Sequence, residues 1–438
     1  MNKTIYYFIS TLGCPKNDVE SDSIRSVFES YSYIFKETLD YKKAGVILIN
    51  TCGFIKSAVK QSDETIQFYI DSTSKNRFII VTGCYAVRSK QALIDKFGNK
   101  ILILKTNELN DYCKKLSEKI SGTKVKSDPP ALYRTNHSSS IYSYIRIADG
   151  CSRKCGFCVI PFIKGKYTSR PQKNIIDEAE LLLNNGIKEL ILVSQDTGKY
   201  GKDINLKYGI AGLLKELNKL NYDFIIRIMY LSPDTVTKPL IKIISDTEKI
   251  CNYIDMPIQH TENSILKKMR RNTTKKEIFE KIGFIKKYNP DISIRTSVIT
   301  GYPGETEKIF EEMSESIIKL KFDKLGIFKY SDESETYSYT LKNKIPEKTI
   351  NTRFNKLMNI QKKISYEQNK KFIGKTLKVL VDGYDPKTKF YLSRDSHNAP
   401  EIDGYILFKT KNNIDINNFL NIRITSGSDY DLTGELLQ

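Results

Sequence analysis

Apolar residues in the first part of the chain follow two different spacings. Ile5–Ile9 is a short apolar run of strand character, whereas Ile24, Val27, Phe28 and Tyr31 fall at i, i+3, i+4 and i+7 and share one helix face. Val46–Ile49 predicts a second strand, followed by a helix to about Tyr69. Phe78–Val81 predicts a third strand and Ile101–Leu104 a fourth, after which a helix runs to about Ser121. Strands alternating with helices predict a parallel sheet with helices packed on it, a flavodoxin-like or Rossmann-like α/β layout. From Ser121 to Ser140 the periodicity stops, and Pro129-Pro130 with Ser138-Ser139-Ser140 predict a linker.

Alternation then resumes. Strands are predicted at Tyr142–Ile147, Leu190–Val193, Phe224–Met229, Tyr253–Met256, Ile292–Ile299 and Leu325–Phe328, with helical patterns between them. Six such units predict an open, partial β/α barrel whose site lies at the C-terminal ends of its strands. After a polar helical stretch from about Thr349 to Lys371, the pattern changes to short strands at Leu377–Val381, Phe390–Leu392, Tyr405–Phe408 and Asn421–Ile424. Gly383, Gly404, Gly427 and Gly434 punctuate them. This predicts a small antiparallel barrel of the OB-like class used for RNA or protein contact.

The 438 residues suffice for two or three domains with their own cores. No apolar run approaches the roughly 20 residues that span a bilayer. Ile5–Ile9 is shorter than a signal-peptide core and has little charged leader beyond Lys3, so the expectation is a cytoplasmic protein with reduced thiols and no membrane contact. A formal charge of +19 fits a nucleic-acid or ribosomal partner. It fits equally a Lys-, Ile- and Asn-rich composition without a binding role, because the lysines are spread along the whole chain.

Eight cysteines change this picture. Cys151, Cys155 and Cys158 lie in one run, Asp149-Gly150-Cys151-Ser152-Arg153-Lys154-Cys155-Gly156-Phe157-Cys158. Three thiolates at that spacing can hold three irons of a 4Fe–4S cube and leave the fourth iron open, whereas a structural metal site closes its shell. The rival reading is a zinc knuckle with a distant fourth ligand, although zinc motifs usually pair two CxxC units. Cys14, Cys52 and Cys84 are far apart in sequence, yet each follows one of the strand runs Ile5–Ile9, Val46–Ile49 and Phe78–Val81 beside a glycine. Loops after parallel strands gather along one sheet edge, so these thiols are expected to converge on a second cube. The alternative is three small core residues. Cys113, in a helix, and Cys251, before a strand, read as structural. Arg227 and Arg295 lie within strands and need carboxylate partners. His260 reads as a satisfied polar residue near the barrel mouth.

Two cysteine triads, one per domain, with a small C-terminal barrel resemble the methylthiotransferase family of radical S-adenosylmethionine (SAM) enzymes, over almost the whole chain. The Cys151–Cys158 run resembles the radical SAM signature, and the barrel resembles the TRAM module. Four strings are similar to the ribosomal-protein branch, RimO, rather than the tRNA branch, MiaB. They are Gly13-Cys14-Pro15-Lys16-Asn17, Gln195-Asp196-Thr197 with Tyr200-Gly201, Pro257-Ile258-Gln259-His260, and Ala399-Pro400-Glu401-Ile402-Asp403-Gly404. Thr11, where Ser is usual, and Ser152-Arg153-Lys154 depart from the pattern.

The resemblance implies domains at 1–122 (cluster-binding), 137–366 (radical SAM) and 369–436 (TRAM). It implies methylthiolation of the β-carbon of an aspartate on small-subunit ribosomal protein S-twelve, free or within the ribosomal subunit. SAM serves as radical source and methyl donor, two 4Fe–4S clusters are bound, and a donor such as flavodoxin or ferredoxin supplies electrons. RNA contact is compatible with it. No side chain is assigned a catalytic role, since the chemistry belongs to the clusters. By the same resemblance Phe157, Gln195, Arg295, Gly301, Gly304 and Glu305 contact SAM. Competing readings are a tRNA methylthiotransferase and a non-catalytic iron–sulfur or RNA-binding protein. The acidic strings Glu401-Ile402-Asp403 and Asp429-Tyr430-Asp431 favour a basic protein over RNA as the barrel's partner.

Overall fold

A computed structural model describes residues 4–32, 34–72, 77–121, 141–412 and 414–437. The predicted linker falls largely outside them. The chain forms two compact units, the first built from the N-terminal region with Gly150–Ser152 and Val159–Lys166, the second from the remainder.

In the first unit, strands β1 (Ile5–Thr11), β2 (Phe35–Glu37), β3 (Val46–Thr51), β4 (Phe78–Gly83) and β5 (Leu102–Ile103) form one sheet in the order β2-β1-β3-β4-β5. Every pairing is parallel. That order is the flavodoxin-like one. Successive residues of β3 face opposite sides: Val46 and Leu48 join one core with Ile24 and Phe28, while Ile47 and Ile49 join the other with Ile66 and Tyr69. Both sheet faces are therefore covered, which is why β3 reads as a continuous apolar run. Helix Pro15–Glu29 carries the predicted face, with Ile24 and Phe28 buried and Tyr31 just beyond its end.

The second unit begins with β6 (Tyr142–Arg146), followed by an antiparallel pair of two-residue strands, β7 (Ala148–Asp149) and β8 (Thr168–Ser169). Strands β9 (Glu189–Val193) and β10 (Ile225–Ile228) join β6 in one three-stranded sheet, and β11 (Tyr253–Asp255), β12 (Ser293–Thr300) and β13 (Lys324–Lys329) form another. Both sheets are parallel. A single parallel bridge, Ile226 to Ile250, leads from β10 toward β11. This is the open six-stranded arrangement expected. Ile145, Leu190, Ile226, Ile254 and Val298 face the surrounding helices in one large core.

The opposite face carries charge where a closed barrel would hold branched aliphatics. Arg227 Nε donates to Glu189 Oε1 at 2.6 Å, and both side chains are fully buried. Arg295 Nη1 donates to Asp255 at 2.9 Å, so both strand arginines find the carboxylates they require.

The C-terminal strands β14 (Thr376–Asp385), β15 (Phe390–Arg394), β16 (Ile406–Phe408), β17 (Phe419–Gly427) and β18 (Leu432–Leu436) close a barrel in the order β14-β15-β16-β18-β17. Its pairings are antiparallel as expected, except that β16 and β18 run parallel. The barrel is tied to the strand layer by buried polar contacts. Arg394 Nη1 reaches Glu189 Oε2 at 2.6 Å, Arg227 Nη1 donates to Ser396 O at 2.9 Å, and Tyr253 OH donates to Asp403 Oδ2 at 2.7 Å.

These contacts correct one sequence-based argument. Glu401 accepts from Tyr142 OH, Asp403 from Tyr253 and the Ala399 N–H, and Asp431 from the Tyr405 N–H. Glu401 remains exposed, and Asp429, half-buried, pairs with Lys362 at 3.0 Å. Asp403 and Asp431 are used to hold the barrel's own backbone and Tyr253.

Glu189 is held below the ordinary carboxylate value of 4.5: burial pushes it up, but Arg394 and Arg227 outweigh burial. A depressed folded value stabilises above 4.5 and loses that contribution as pH falls. Arg394→Met should therefore lower the denaturant midpoint at pH 7 by the equivalent of about 3–5 kcal/mol. The gap to wild type should narrow as pH drops below 4.5. A gap that stays constant with pH would contradict this role for the pair.

Candidate metal centres

Cys14, Cys52 and Cys84 directly follow neighbouring strands and so share one edge of the first sheet. Cys14 caps helix Pro15–Glu29, Cys52 follows β3, and Cys84 follows β4 and opens helix Cys84–Arg88. The backbones approach so closely that Gly13, at φ +103°, has no room for a side chain: a Cβ there would lie 2.7 Å from Cys52 Cβ and 3.0 Å from its Sγ. Asn17 binds the loops together. Its Nδ2 donates to Leu12 O at 2.6 Å and Thr51 O at 3.3 Å, and Cys84 Sγ lies 4.0 Å from its Oδ1. Asn50 Nδ2 adds a bond to Asn17 O at 2.9 Å. Asn17 lies in the Gly13–Asn17 string, where nothing in the sequence alone marks it for this role.

The donor set fits an iron–sulfur cube. Burial pushes the Cys52 thiol up, with Cys14 adding to the shift. Burial pushes Cys84 up to about 12; Lys164 opposes this, and Glu20, Cys52 and Cys14 add to it. The three sulfurs are thus close enough to repel one another as thiolates, a repulsion that bound cations relieve. Asn50 Oδ1 and Thr82 Oγ1, buried beside these loops, have no hydrogen-bond partner among the described residues. Among the described residues no three ligands converge on a point suited to a single ion. A cube differs in placing each thiolate on a separate iron. Val159 and Ile163, from the segment after Cys158, pack on Cys84, and Lys164 pairs with buried Glu20 at 3.0 Å.

The cysteine run is fastened along its length. The Cys151 N–H donates to Gly165 O at 3.0 Å. Arg153 Nε donates to Asp196 at 2.6 Å, and its Nη2 grips both oxygens of Asp234 at 2.7 and 2.9 Å. This motif departure is therefore a clamp to the ends of β9 and β10. The Cys158 N–H closes a turn onto Cys155 O at 3.1 Å. Gly156 donates to Met269 O at 2.8 Å and accepts from the Ser338 N–H at 2.7 Å; a Cβ there would sit 2.9 Å from Lys268 O. Phe157 packs against Ile265, Met269, Ile299 and Tyr302.

The other expected cofactor contacts divide. Gln195, half-buried, follows β9 at the C-terminal end, and the Gly301–Gly304 turn follows β12 at the same end. Glu305 is fully buried and already bonded to the Gly301 N–H, Thr300, Arg353 and His260. Through these bonds it helps to build the turn. Arg295 lies at the third position of β12, away from that end, and is held by Asp255, with Asp403 at 3.8 Å. Both residues thus have charged partners within the fold, as buried carboxylates and cations require. His260 is satisfied as expected, by Glu305 and the Glu262 N–H.

Comparison with known proteins follows this geometry. The chain matches the Radical SAM superfamily over residues 145–317, the uncharacterized protein family UPF0004 over 6–104 and the TRAM domain over 373–437. It is 37% identical over 436 residues, 98% of this chain and 99% of the relative, to the ribosomal protein uS12 methylthiotransferase RimO of Carboxydothermus hydrogenoformans. It is 38% identical to the RimO of Clostridioides difficile, covering 98% of each chain. Among solved structures it is similar to the radical S-adenosylmethionine methyltransferase TsrM of Kitasatospora setae, solved with cobalamin and a 4Fe-4S cluster bound. The TM-score is 0.59 at 13% identity, covering 77% of this chain and 74% of that one. At that identity the likeness speaks for the fold.

The burial differences predict a labelling order. In the folded, metal-free protein Cys14 is exposed, whereas Cys84, Cys113 and Cys251 are buried and each pushed up to about 12 by burial. Because the thiolate is the nucleophile, iodoacetamide at pH 8 should alkylate Cys14 first and those three last, as read by peptide mass mapping. Equal rates for Cys14 and Cys84 would contradict the described packing.

Proposed function

The chain belongs to the ribosomal protein uS12 methylthiotransferase family, RimO, and from that membership we propose that it methylthiolates the β-carbon of an aspartate on uS12, the S-twelve protein of the small ribosomal subunit. It is a radical SAM enzyme, and the observation that carries the reading is near-complete coverage by relatives of that name at 37–38% identity. The tRNA alternative finds no support among them. No helix among the described residues is long and apolar enough to cross a membrane. A cytoplasmic setting and a flavodoxin or ferredoxin donor follow from the family reading, and the TRAM barrel supplies a surface for RNA contact.

Cys151, Cys155 and Cys158 are assigned to one 4Fe–4S cluster, and Cys14, Cys52 and Cys84 to a second. When bound, the first supplies the electron for reductive cleavage of SAM and the second a site for sulfur. The chain's own residues position these groups. Arg153 fastens the cysteine run to residues beyond the ends of two strands and Gly156 fastens it to Met269 and Ser338, while Phe157 packs in an apolar cluster beside it. Gln195 and the Gly301–Gly304 turn are the polar elements offered to SAM at the barrel mouth. Glu305, through His260 and Arg353, keeps that turn rigid. Asn17 holds the second set of thiols together.

Anaerobic reconstitution should load about eight irons, four per cube. Replacing Cys151, Cys155 and Cys158 by Ala should halve the iron and abolish formation of 5′-deoxyadenosine. Replacing Cys14, Cys52 and Cys84 should also halve the iron, yet leave 5′-deoxyadenosine and remove methylthiolated product. Cleavage of SAM by the first variant, or product from the second, would overturn the assignment.

A further inference from the structure

We propose that Arg271 is a positioning residue for the radical-generating cluster: it donates a hydrogen bond to the Cys155 sulfur and thereby raises the cluster's reduction potential. This rests on the reading that Cys155 ligates that cube.

Arg271 Nη1 points at Cys155 Sγ from 3.7 Å, and Nη2 donates to Pro257 O at 2.8 Å. The guanidinium is half-buried, and among the described residues no carboxylate pairs with it. Arg153, by contrast, is neutralised by Asp196 and Asp234. Of these two arginines, Arg271 therefore brings an uncompensated positive charge to the cysteine run.

The backbone is strained to put it there. Helix Asn263–Lys268 ends with Arg270 N–H bonded to Lys267 O at 3.0 Å and Arg271 N–H to Leu266 O at 2.9 Å. That is a Schellman ending, whose left-handed position is usually glycine. Here Arg270 occupies it at φ +53° and stacks its guanidinium 3.7 Å over the Tyr337 ring. The turn reverses the chain so that Arg271 faces Cys155, while the preceding Met269 O takes the Gly156 N–H. Strained non-glycine residues of this kind gather at functional sites.

Hydrogen bonds to cluster sulfurs and local charge set iron–sulfur potentials. A donor and a cation stabilise the more negative reduced cube, so their loss makes reduction harder. The change is one of energy alone: one electron enters the cube from the reductant, and no bond is made or broken.

The test uses the full chain with Cys14, Cys52 and Cys84 replaced by Ala, so that one cube remains. The midpoint potential is read by electron paramagnetic resonance during a mediated dithionite titration, with iron content measured alongside. Arg271→Met should keep its iron and titrate at lower potential than the parent. Arg271→Lys, which keeps the charge but cannot fork to both Cys155 and Pro257, should fall between them. Arg270→Met, losing an equal charge that faces a ring, should shift the potential less than half as far.

An unchanged potential in Arg271→Met, or a shift matched by Arg270→Met, would overturn the inference while leaving the ligand assignment intact. If Arg271→Met fails to hold iron, Arg271→Lys decides, with a potential equal to the parent counting against the bond. A parent that binds no cube would instead overturn the ligand assignment itself.

Discussion

Sulfur ligands for a multi-iron group must come from several loops at once, and loops with side chains keep their backbones apart. The N-terminal unit resolves that conflict at the edge of its parallel sheet. Three adjacent strands end together, Gly13 removes the side chain that would strike Cys52, and Asn17 supplies the hydrogen bonds that hold the crowded backbones in place. Burial raises the proton affinity of Cys52 and Cys84, and the neighbouring thiols add to it. Gathering thiolates without a metal is electrostatically unfavourable, and cations held by them would relieve it. In the second unit the same problem appears in one short run, and Gly156 solves it by lying between Met269 and Ser338 where no side chain fits.

Within the second unit a buried layer of charge braces the strands, in place of the aliphatic filling of a closed barrel. Glu189, Arg227 and Arg394 are buried side chains of alternating charge, and they join the C-terminal barrel to the strands whose far ends carry the cofactor mouth. Breaking one member leaves another charged and buried, which is why such a layer holds geometry more firmly than its net energy suggests. Glu305 plays the corresponding part at the mouth, where it fixes the Gly301–Gly304 turn through four partners.

Much of this was legible from the chain. The apolar runs located the long strands because both faces of the first sheet and one face of the second are buried, and glycine-flanked cysteines after strands pointed to a shared edge. What escaped was short or long-range. Phe35–Glu37 is too brief to show alternation, and Leu432–Leu436 mixes apolar and polar positions around Gly434. Asp403 looked like surface because composition cannot tell a solvated carboxylate from one that accepts a tyrosine hydroxyl within the fold. Arg271 carried no sequence signal, since its relation to Cys155 spans more than a hundred residues and depends on a left-handed arginine ending a helix.

The central claim is that this site delivers a methylthio group to a ribosomal protein. Its most direct test is intact-mass analysis of ribosomal proteins, with nucleoside analysis of tRNA, from a strain lacking this chain and from the same strain complemented with it. The account predicts that uS12 gains one methylthio group only on complementation, while tRNA nucleosides stay the same. An unchanged uS12 mass, or a methylthio-adenosine that follows complementation, would contradict it.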